Sequence, residues 1–460
     1  MKKYENNILN NLLTIDNSFD KPLHSTEELL EWVNKRSKKL KVSVKNITLE
    51  ECKPWFYDEK KGCIRNENET FFQIYGLKQT NKNKTIIEQP IIVQKEIGFL
   101  GIITCKINGT WHYLMQTKIE PGNSRFVQIA PTLQATKSNF TQKHGGKRPK
   151  YLDYFLNAKA ENIIVDQIQS EQSSRFFKKR NRNIIISVNK FIPETDTHKW
   201  MTLKQIKELM KHDNLINMDT RTVISCIPYV ITNPKEDVPY KNNLSLYKSV
   251  YNLDRKTFVD IYHHINNYKM FNENKTELVK LDSLKNWEMR DNELVCKKPY
   301  PFKIIFCDVE IEGREVTSWK QPLLASNGKS LYGLICCKDN GVIKFLVKIY
   351  PEAGCFDSIE IGPTIQKDFS QKQLNNKIEK IFNKKLEQKE NIMIDCILSE
   401  EGGRFYHDEN RNVIIFVDKK EIGTLPKEYI WSDYGTLNVL TQINNCLNIQ
   451  LRNLLSLLEI

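Results

Sequence analysis

The chain repeats itself, and this constrains its fold more than any other feature of the sequence. The segment from Ser170 to Val188 matches the segment from Ser399 to Val417 at a constant offset of 229, with ten of nineteen positions identical. Average residue usage would give roughly one or two identities by chance. Upstream the offset is 232: Trp55 answers Trp287, Gly101 answers Gly333, Glu120 answers Glu352, Pro131-Thr132 answers Pro363-Thr364 and Gln134 answers Gln366. Downstream, Trp200 answers Trp431 and Arg221 answers Arg452. A fixed period of this length marks one structural unit written twice. We therefore expect an N-terminal extension (1–23), a first repeat (24–226), a Pro-, Asn- and Lys-rich linker (227–255) and a second repeat (256–460).

Local signals set the class of the repeat. Ser25-Thr26-Glu27-Glu28 reads as a capping box opening a helix with Leu29, Trp32 and Val33 on one face, and Thr257 to Asp260 should open its counterpart, with Ile261, His264 and Ile265 on one face. Apolar and polar residues alternate from Ile91 to Ile107 and from His112 to Glu120, around an Asn108-Gly109 hairpin signal. Thr202 to Gln205 is a second capping box, and Asn217 can cap the helix that follows. The expectation is an α+β fold, one mixed module present twice.

Composition excludes several classes. With 69 Lys+Arg, 56 Asp+Glu and 40% hydrophobic residues the chain is globular. No apolar run has the length of a signal sequence or a membrane span, so a chain outside the membrane is expected. Eleven cysteines without a C-x-x-C pair fit a reducing, cytoplasmic compartment. The net charge of +13 raises nucleic-acid binding, but the basic residues are dispersed and no nucleic-acid-binding signature appears. Walker A, dinucleotide-binding and nucleophile-elbow motifs are missing too, as is a metal-ligating H-E-x-x-H.

Candidate site residues come from polar strings at strand ends. These are Gln116, Lys118, Glu120 and Asn123; Gln134, Thr136, Ser138 and Asn139; and Glu171, Arg175, Arg182 and Asn183. Such a density of hydrogen-bonding groups is costly to bury without partners, and a polar ligand is one partner. Arg175 and Arg182, with counterparts Arg404 and Arg411, suit a diphosphate or else internal salt bridges, with Glu171 and Glu400 as candidate partners. Lys178-Lys179-Arg180 reads as a solvated basic face. Trp55, Trp200 and Tyr151 can stack on a base or belong to the core. His144, in a glycine-flanked loop, can move protons.

Together, the strings at 116–123 (QTKIEPGN), 131–139 (PTLQATKSN), 170–172 (SEQ), 181–183 (NRN), 200–205 (WMTLKQ), 217–221 (NMDTR) and 400–406 (EEGGRFY) resemble the NDP-hexose 2,3-dehydratase family over nearly the whole chain. The resemblance implies tandem Nudix-like modules, a homodimer, and loss of water across C2–C3 of an NDP-4-keto-6-deoxyhexose, usually dTDP-linked. The product would be a 3,4-diketo-2,6-dideoxy sugar, labile enough to need a downstream 3-ketoreductase. No cofactor or metal is implied, and the clustered glutamates of a hydrolytic Nudix box are missing. A binding module that has lost catalysis is the competing reading. The chemistry needs a base, an acid and donors for an enolate oxygen. Glu120, His144 and Glu171 in the first repeat, and Glu401, Tyr406 and His407 in the second, are the candidate catalytic groups, with Glu352, Arg404 and Arg411 as further binding residues. The fuller polar set favours one polar pocket per repeat, the first being catalytic.

Overall fold

In a computed structural model the described residues are 21–69, 71–137, 148–229, 244–312, 316–371 and 373–459. They form two repeated halves of α+β structure, each with a larger and a smaller mixed or antiparallel sheet.

Local chemistry sets the elements. Ser25 and Glu28 form the reciprocal capping box of helix Thr26–Lys39, which buries Leu29, Trp32 and Val33. Thr202 and Gln205 do the same for helix Leu203–Met210. Asn217 Oδ1 accepts from Thr220 N to start helix Met218–Ser225. The counterpart of the first helix starts earlier than the Thr257 signal suggests. It spans Arg255–Phe271, because Asp254 caps it, accepting from the backbone of Lys256 and Thr257 at 3.0 and 3.1 Å. A carboxyl at the N-cap outcompetes the hydroxyl three residues later.

Asn108 and Gly109, both at positive φ, turn strand Gly98–Ile107 into Thr110–Ile119. The alternating run from Ile91 to Ile107, however, is not one strand. It breaks between Lys84–Val93, in the small sheet, and Gly98–Ile107, in the large one. In the large sheet Arg180–Val188 lies parallel to Gly98–Ile107 and antiparallel to Ile163–Ser170, while His198–Thr202 pairs with Thr110–Ile119. The second repeat reproduces this: Glu409–Phe416 runs parallel to Ser330–Asp339, and Tyr429–Asp433 pairs with Val342–Tyr350.

The small sheets exchange strands. Val42–Ile47, of the first repeat, pairs with Phe302–Ile311 of the second, and its counterpart Lys275–Val279 pairs with Gln73–Asn81 of the first. Between these sheets lies a core drawn from both repeats, including Trp55, Phe72, Ile92, Phe176, Trp287, Phe302, Phe306 and Phe405. The two tryptophans cross over: Trp55 Nε1 donates to Lys320 O at 2.8 Å and Trp287 Nε1 to Glu88 O at 3.2 Å. Helices Met218–Ser225 and Ile449–Ser456 pack together, and residues of both belong to a second core that draws on both repeats. The halves are thus interlocked by reciprocal contacts about an approximate two-fold relation. Among the described residues, no helix is long and apolar enough to cross a membrane.

Candidate active site

The same reciprocity builds the polar clusters. Loop 399–407 of the second repeat reaches into the first, and loop 170–178 of the first reaches into the second. Gly122 N donates to Gly402 O at 2.8 Å, and His407 N donates to Gly122 O at 2.7 Å. Lys178 N, the counterpart of His407, donates to Gly354 O at 2.8 Å. These approaches require glycine: a Cβ on Gly122 would lie 1.5 Å from Phe405 O, and one on Gly402 would lie 2.5 Å from Asn123 Oδ1. Each cluster is therefore completed by the other repeat, rather than one pocket belonging to each unit.

The first cluster is organised around Glu120, which is 5% exposed and follows strand Thr110–Ile119. Its Oε1 accepts from Gln134 Nε2 at 2.7 Å, and its Oε2 from Gly402 N at 3.0 Å and Asn123 Nδ2 at 3.4 Å. Asn217 supports this arrangement. Its N–H donates to Ile129 O and its Oδ1 caps the helix, which leaves Nδ2 to donate to Gln134 Oε1 at 3.1 Å. Lys118 Nζ donates to Gln134 O at 3.1 Å. Gln128 links Asn123 at 2.9 Å to Ser399 Oγ of the other repeat at 2.7 Å.

Three further carboxyl groups interact electrostatically with Glu120. Burial pushes Glu401 up to about 7; Arg404 opposes the shift, while Glu120 and Glu171 add to it. Glu401 Oε1 accepts from Gly403 N at 2.9 Å, while Oε2 is buried without a hydrogen-bond partner. Burial also raises Glu171, against Lys179 and Arg452. Glu171 Oε1 accepts from Asn181 Nδ2 at 2.5 Å, and its Oε2 is buried without a partner. Asp219, in the first turn of its helix, is pushed well above the usual carboxyl range by burial and then by Glu171, Glu120 and Glu401. Burial lowers Lys179 to about 8, with Glu171 opposing and Arg404 assisting. An acid and an amine brought towards neutrality in one place can exchange protons with a substrate near pH 7.

Arg404 enters from the second repeat, half-buried, with its guanidinium 4.8 Å over the Phe72 ring. Its Nη1 donates to Gly403 O at 3.0 Å, and its Nε is buried without a partner.

The second cluster repeats the frame with altered chemistry. Glu352 Oε1 accepts from Gln366 Nε2 at 3.1 Å, and Asn448 Nδ2 donates to Gln366 Oε1 at 2.9 Å. Burial pushes Glu352 up to about 8, Glu360 to about 7, Glu400 to about 8 and Asp408 to about 6. Both Glu360 oxygens are buried without a partner. Gln172 Nε2 donates to Tyr332 OH at 3.3 Å.

The structure thus brings Gln134, Lys118, Asn123, Glu120, Glu171, Glu401 and Arg404 together, and places Glu352 and Arg175 in the twin cluster. Other sequence candidates have different roles. Arg182 is held in a fork by Asp166 at 2.6 Å through Nε and Nη2, and Arg411 by Asp395 at 2.8 and 2.6 Å. Neither Glu171 nor Glu400 is the partner. Trp55 lies in the core between the small sheets. Trp200 is buried and donates to Ile192 O at 2.8 Å. Gln116 ties down Pro131 O at 2.8 Å. Tyr151 packs edge-on to His198 at 4.8 Å. Asn183 donates to Asn181 O at 3.2 Å, and Thr136 follows strand Leu133–Ala135. Tyr406 and His407 stack on one another at 4.0 Å, with His407 exposed. Ser138, Asn139 and His144 lie outside the described residues.

Lys179 corrects the reading of a solvated basic face: it is 5% exposed and donates to Glu96 O. Its partner Glu96 lies 83 residues away in the chain, so there is no local sequence signal. Asp219, Gln128 and Gly402 were missed as well. Asp219 and Gly402 do lie inside the quoted strings NMDTR and EEGGRFY, so those strings were the available signal.

A family model described as NDP-hexose 2,3-dehydratase matches residues 26–227 and again 259–458. The chain belongs to this family. It is 33% identical over 444 residues to a Saccharopolyspora spinosa protein named dTDP-4-dehydro-6-deoxy-α-D-glucopyranose 2,3-dehydratase, covering 94% of this chain and 91% of that one. Proteins of the same name from Streptomyces violaceoruber and Amycolatopsis orientalis are 33% and 31% identical over 432 and 441 residues, covering 92% and 94% of this chain and 95% and 89% of theirs. This dehydratase is accordingly a carbon–oxygen lyase of nucleotide-sugar metabolism.

Proposed function

We propose that the chain removes water across C2–C3 of dTDP-4-dehydro-6-deoxy-α-D-glucopyranose, the substrate named for its relatives, at the Glu120 cluster. The observation that carries this reading is the convergence of Glu401, near 7, and Lys179, near 8, beside Glu120, Glu171 and Arg404.

The C4 ketone acidifies C3–H. A carboxylate, for which Glu401 Oε2 is the candidate, takes that proton, and the electrons move into an enolate whose oxygen needs a donor. The enolate then expels the C2 hydroxyl, which leaves as water on receiving a proton from an acid such as Lys179. The resulting enol becomes the 3,4-diketo-2,6-dideoxy sugar. One proton leaves C3 and one hydroxyl leaves C2, so no electron carrier is consumed. Glu120, held by three donors, orients the ring, and Arg404 takes the diphosphate through charge-assisted bonds.

The test is solvent-deuterium exchange at C3, with the product trapped by a 3-ketoreductase. Exchange and turnover in the parent, both lost in Glu401→Gln, support the assignment. Full exchange in Glu401→Gln sinks it.

Each half derives from a Nudix-like module, as the family resemblance implies. The protein acts as a homodimer in a reducing cytoplasm; eleven free cysteines are consistent with such a compartment. Mass by light scattering tests the assembly.

A further inference from the structure

We propose that Gln128 is a positioning residue for the reaction: it sets which way the Asn123 amide faces, and so holds an Asn123 N–H on Glu120. The inference rests on the reading of Glu120 as the group that orients the sugar ring.

Gln128 lies on strand Val127–Ala130, in register with Lys118 of the neighbouring strand, and is 1% exposed. A primary amide carries an acceptor oxygen on one side and two N–H donors on the other, so its neighbours decide which side faces where. The deciding neighbour of Gln128 is a backbone carbonyl, which only accepts. Gln128 Nε2 donates to Asn214 O at 2.9 Å and to Ser399 Oγ at 2.7 Å, which uses both of its N–H groups. Oε1 is left facing Asn123, where it accepts from Nδ2 at 2.9 Å. The second N–H of Asn123 Nδ2 then reaches Glu120 Oε2 at 3.4 Å. With the Asn123 amide reversed, its Oδ1 would confront both the Gln128 oxygen and the Glu120 carboxyl, and two buried acceptors would lose a donor.

The anchor is itself fixed by the second repeat. Asn214 N donates to Ile397 O at 3.0 Å, and Asn214 Nδ2 to Glu409 Oε1 at 2.7 Å. Ser399 ends strand Ile392–Ser399, and its carbonyl accepts from Arg221 Nη2 at 2.6 Å. Gln128 therefore ties the donors around Glu120 to the root of the loop that carries Glu401. It acts on the sugar only through Asn123 and Glu120.

The experiment is a double-mutant cycle on turnover of dTDP-4-dehydro-6-deoxy-α-D-glucopyranose by the full-length chain, with a thermal melt of every variant. Gln128→Met and Asn123→Ala should each lower kcat by roughly tenfold to hundredfold, with KM changed by less than about threefold. In the double variant the loss should equal that of Asn123→Ala alone to within about twofold, because residues of one hydrogen-bond network couple. A kcat in Gln128→Met within about twofold of the parent, or losses that multiply in the double variant, would overturn the inference. If Gln128→Met does not melt cooperatively, Gln128→Glu takes its place in the cycle with the same outcomes deciding: it keeps the shape of the side chain and loses the amide donors. Parental activity in Glu120→Gln overturns the reading of Glu120, and this inference with it. An impaired Glu120→Gln beside a parental Gln128→Met overturns this inference alone.

Discussion

The backbone N–H of Gly402, in the second repeat, donates to the Glu120 carboxyl of the first at 3.0 Å. Two halves of one chain, 282 residues apart at this bond, thus share the groups proposed to do the chemistry.

That contact predicts a catalytic defect without unfolding. Gly402→Ala puts a methyl 2.5 Å from Asn123 Oδ1, so the loop must shift. Misplacing a positioning group by about 1 Å costs about 10²-fold in rate. Steady-state kinetics and a thermal melt on the same preparation check it; wild-type kcat would refute it.

The rate should follow a bell in pH. Glu401 as base acts only when deprotonated, so activity rises as pH passes about 7. Lys179 as acid acts only when protonated, so activity falls as pH passes about 8. Lys179→Met should remove the alkaline limb and lower kcat by roughly 10²–10⁴. An unchanged limb would assign it to another group.

The second cluster should make the fold less stable at alkaline pH. Glu360 is raised to about 7, so between the unfolded value of about 4.3 and that point the folded chain binds more protons. Its contribution is fully present below the unfolded pKa and is lost as pH rises through 7. The loss is on the order of 3 kcal/mol. Glu360→Gln, which restores the residue type of Gln128, should therefore raise Tm by about 3 °C at pH 8 and very little at pH 5. Equal shifts at both pH values would contradict the linkage.

Strand exchange predicts that neither repeat folds alone. A chain ending at residue 230 leaves Gln73–Asn81 without Lys275–Val279 and exposes the edge that it covered. It should be aggregated or poorly ordered by circular dichroism. Co-expression with residues 244–460 should recover a soluble one-to-one complex. A monomeric, cooperatively melting first repeat would refute this.

The buried arginines of the NMDTR-type segments should be structural. Arg221 donates to Ile216 O at 2.7 Å and Ser399 O at 2.6 Å, and Arg452 donates to Ser170 O and Thr222 Oγ1. Arg221→Met orphans the buried Ser399 carbonyl and should cost about 1–3 kcal/mol, read from denaturant midpoints. A loss below 0.5 kcal/mol on that scale would argue against the role.

Features set within a few residues were legible in the sequence: the Ser25–Glu28 and Thr202–Gln205 boxes, the Asn108-Gly109 turn, the Asn217 cap and the duplication itself. Each depends on neighbours three or four positions away, or on counting identities. The motif strings also contained most of the Glu120 cluster. Three things came only from tertiary structure: which strand completes which sheet, which loop enters which site, and whether a charge is paired. Lys179 has two charged neighbours and reads as solvated until Glu96, 83 residues away, is seen to accept from it. Arg175 and Arg404 read identically until Asp368 Oδ1 is seen 3.6 Å from Arg175 Nη2. Burial and charge pairing are properties of distances across hundreds of residues, which local pattern does not encode.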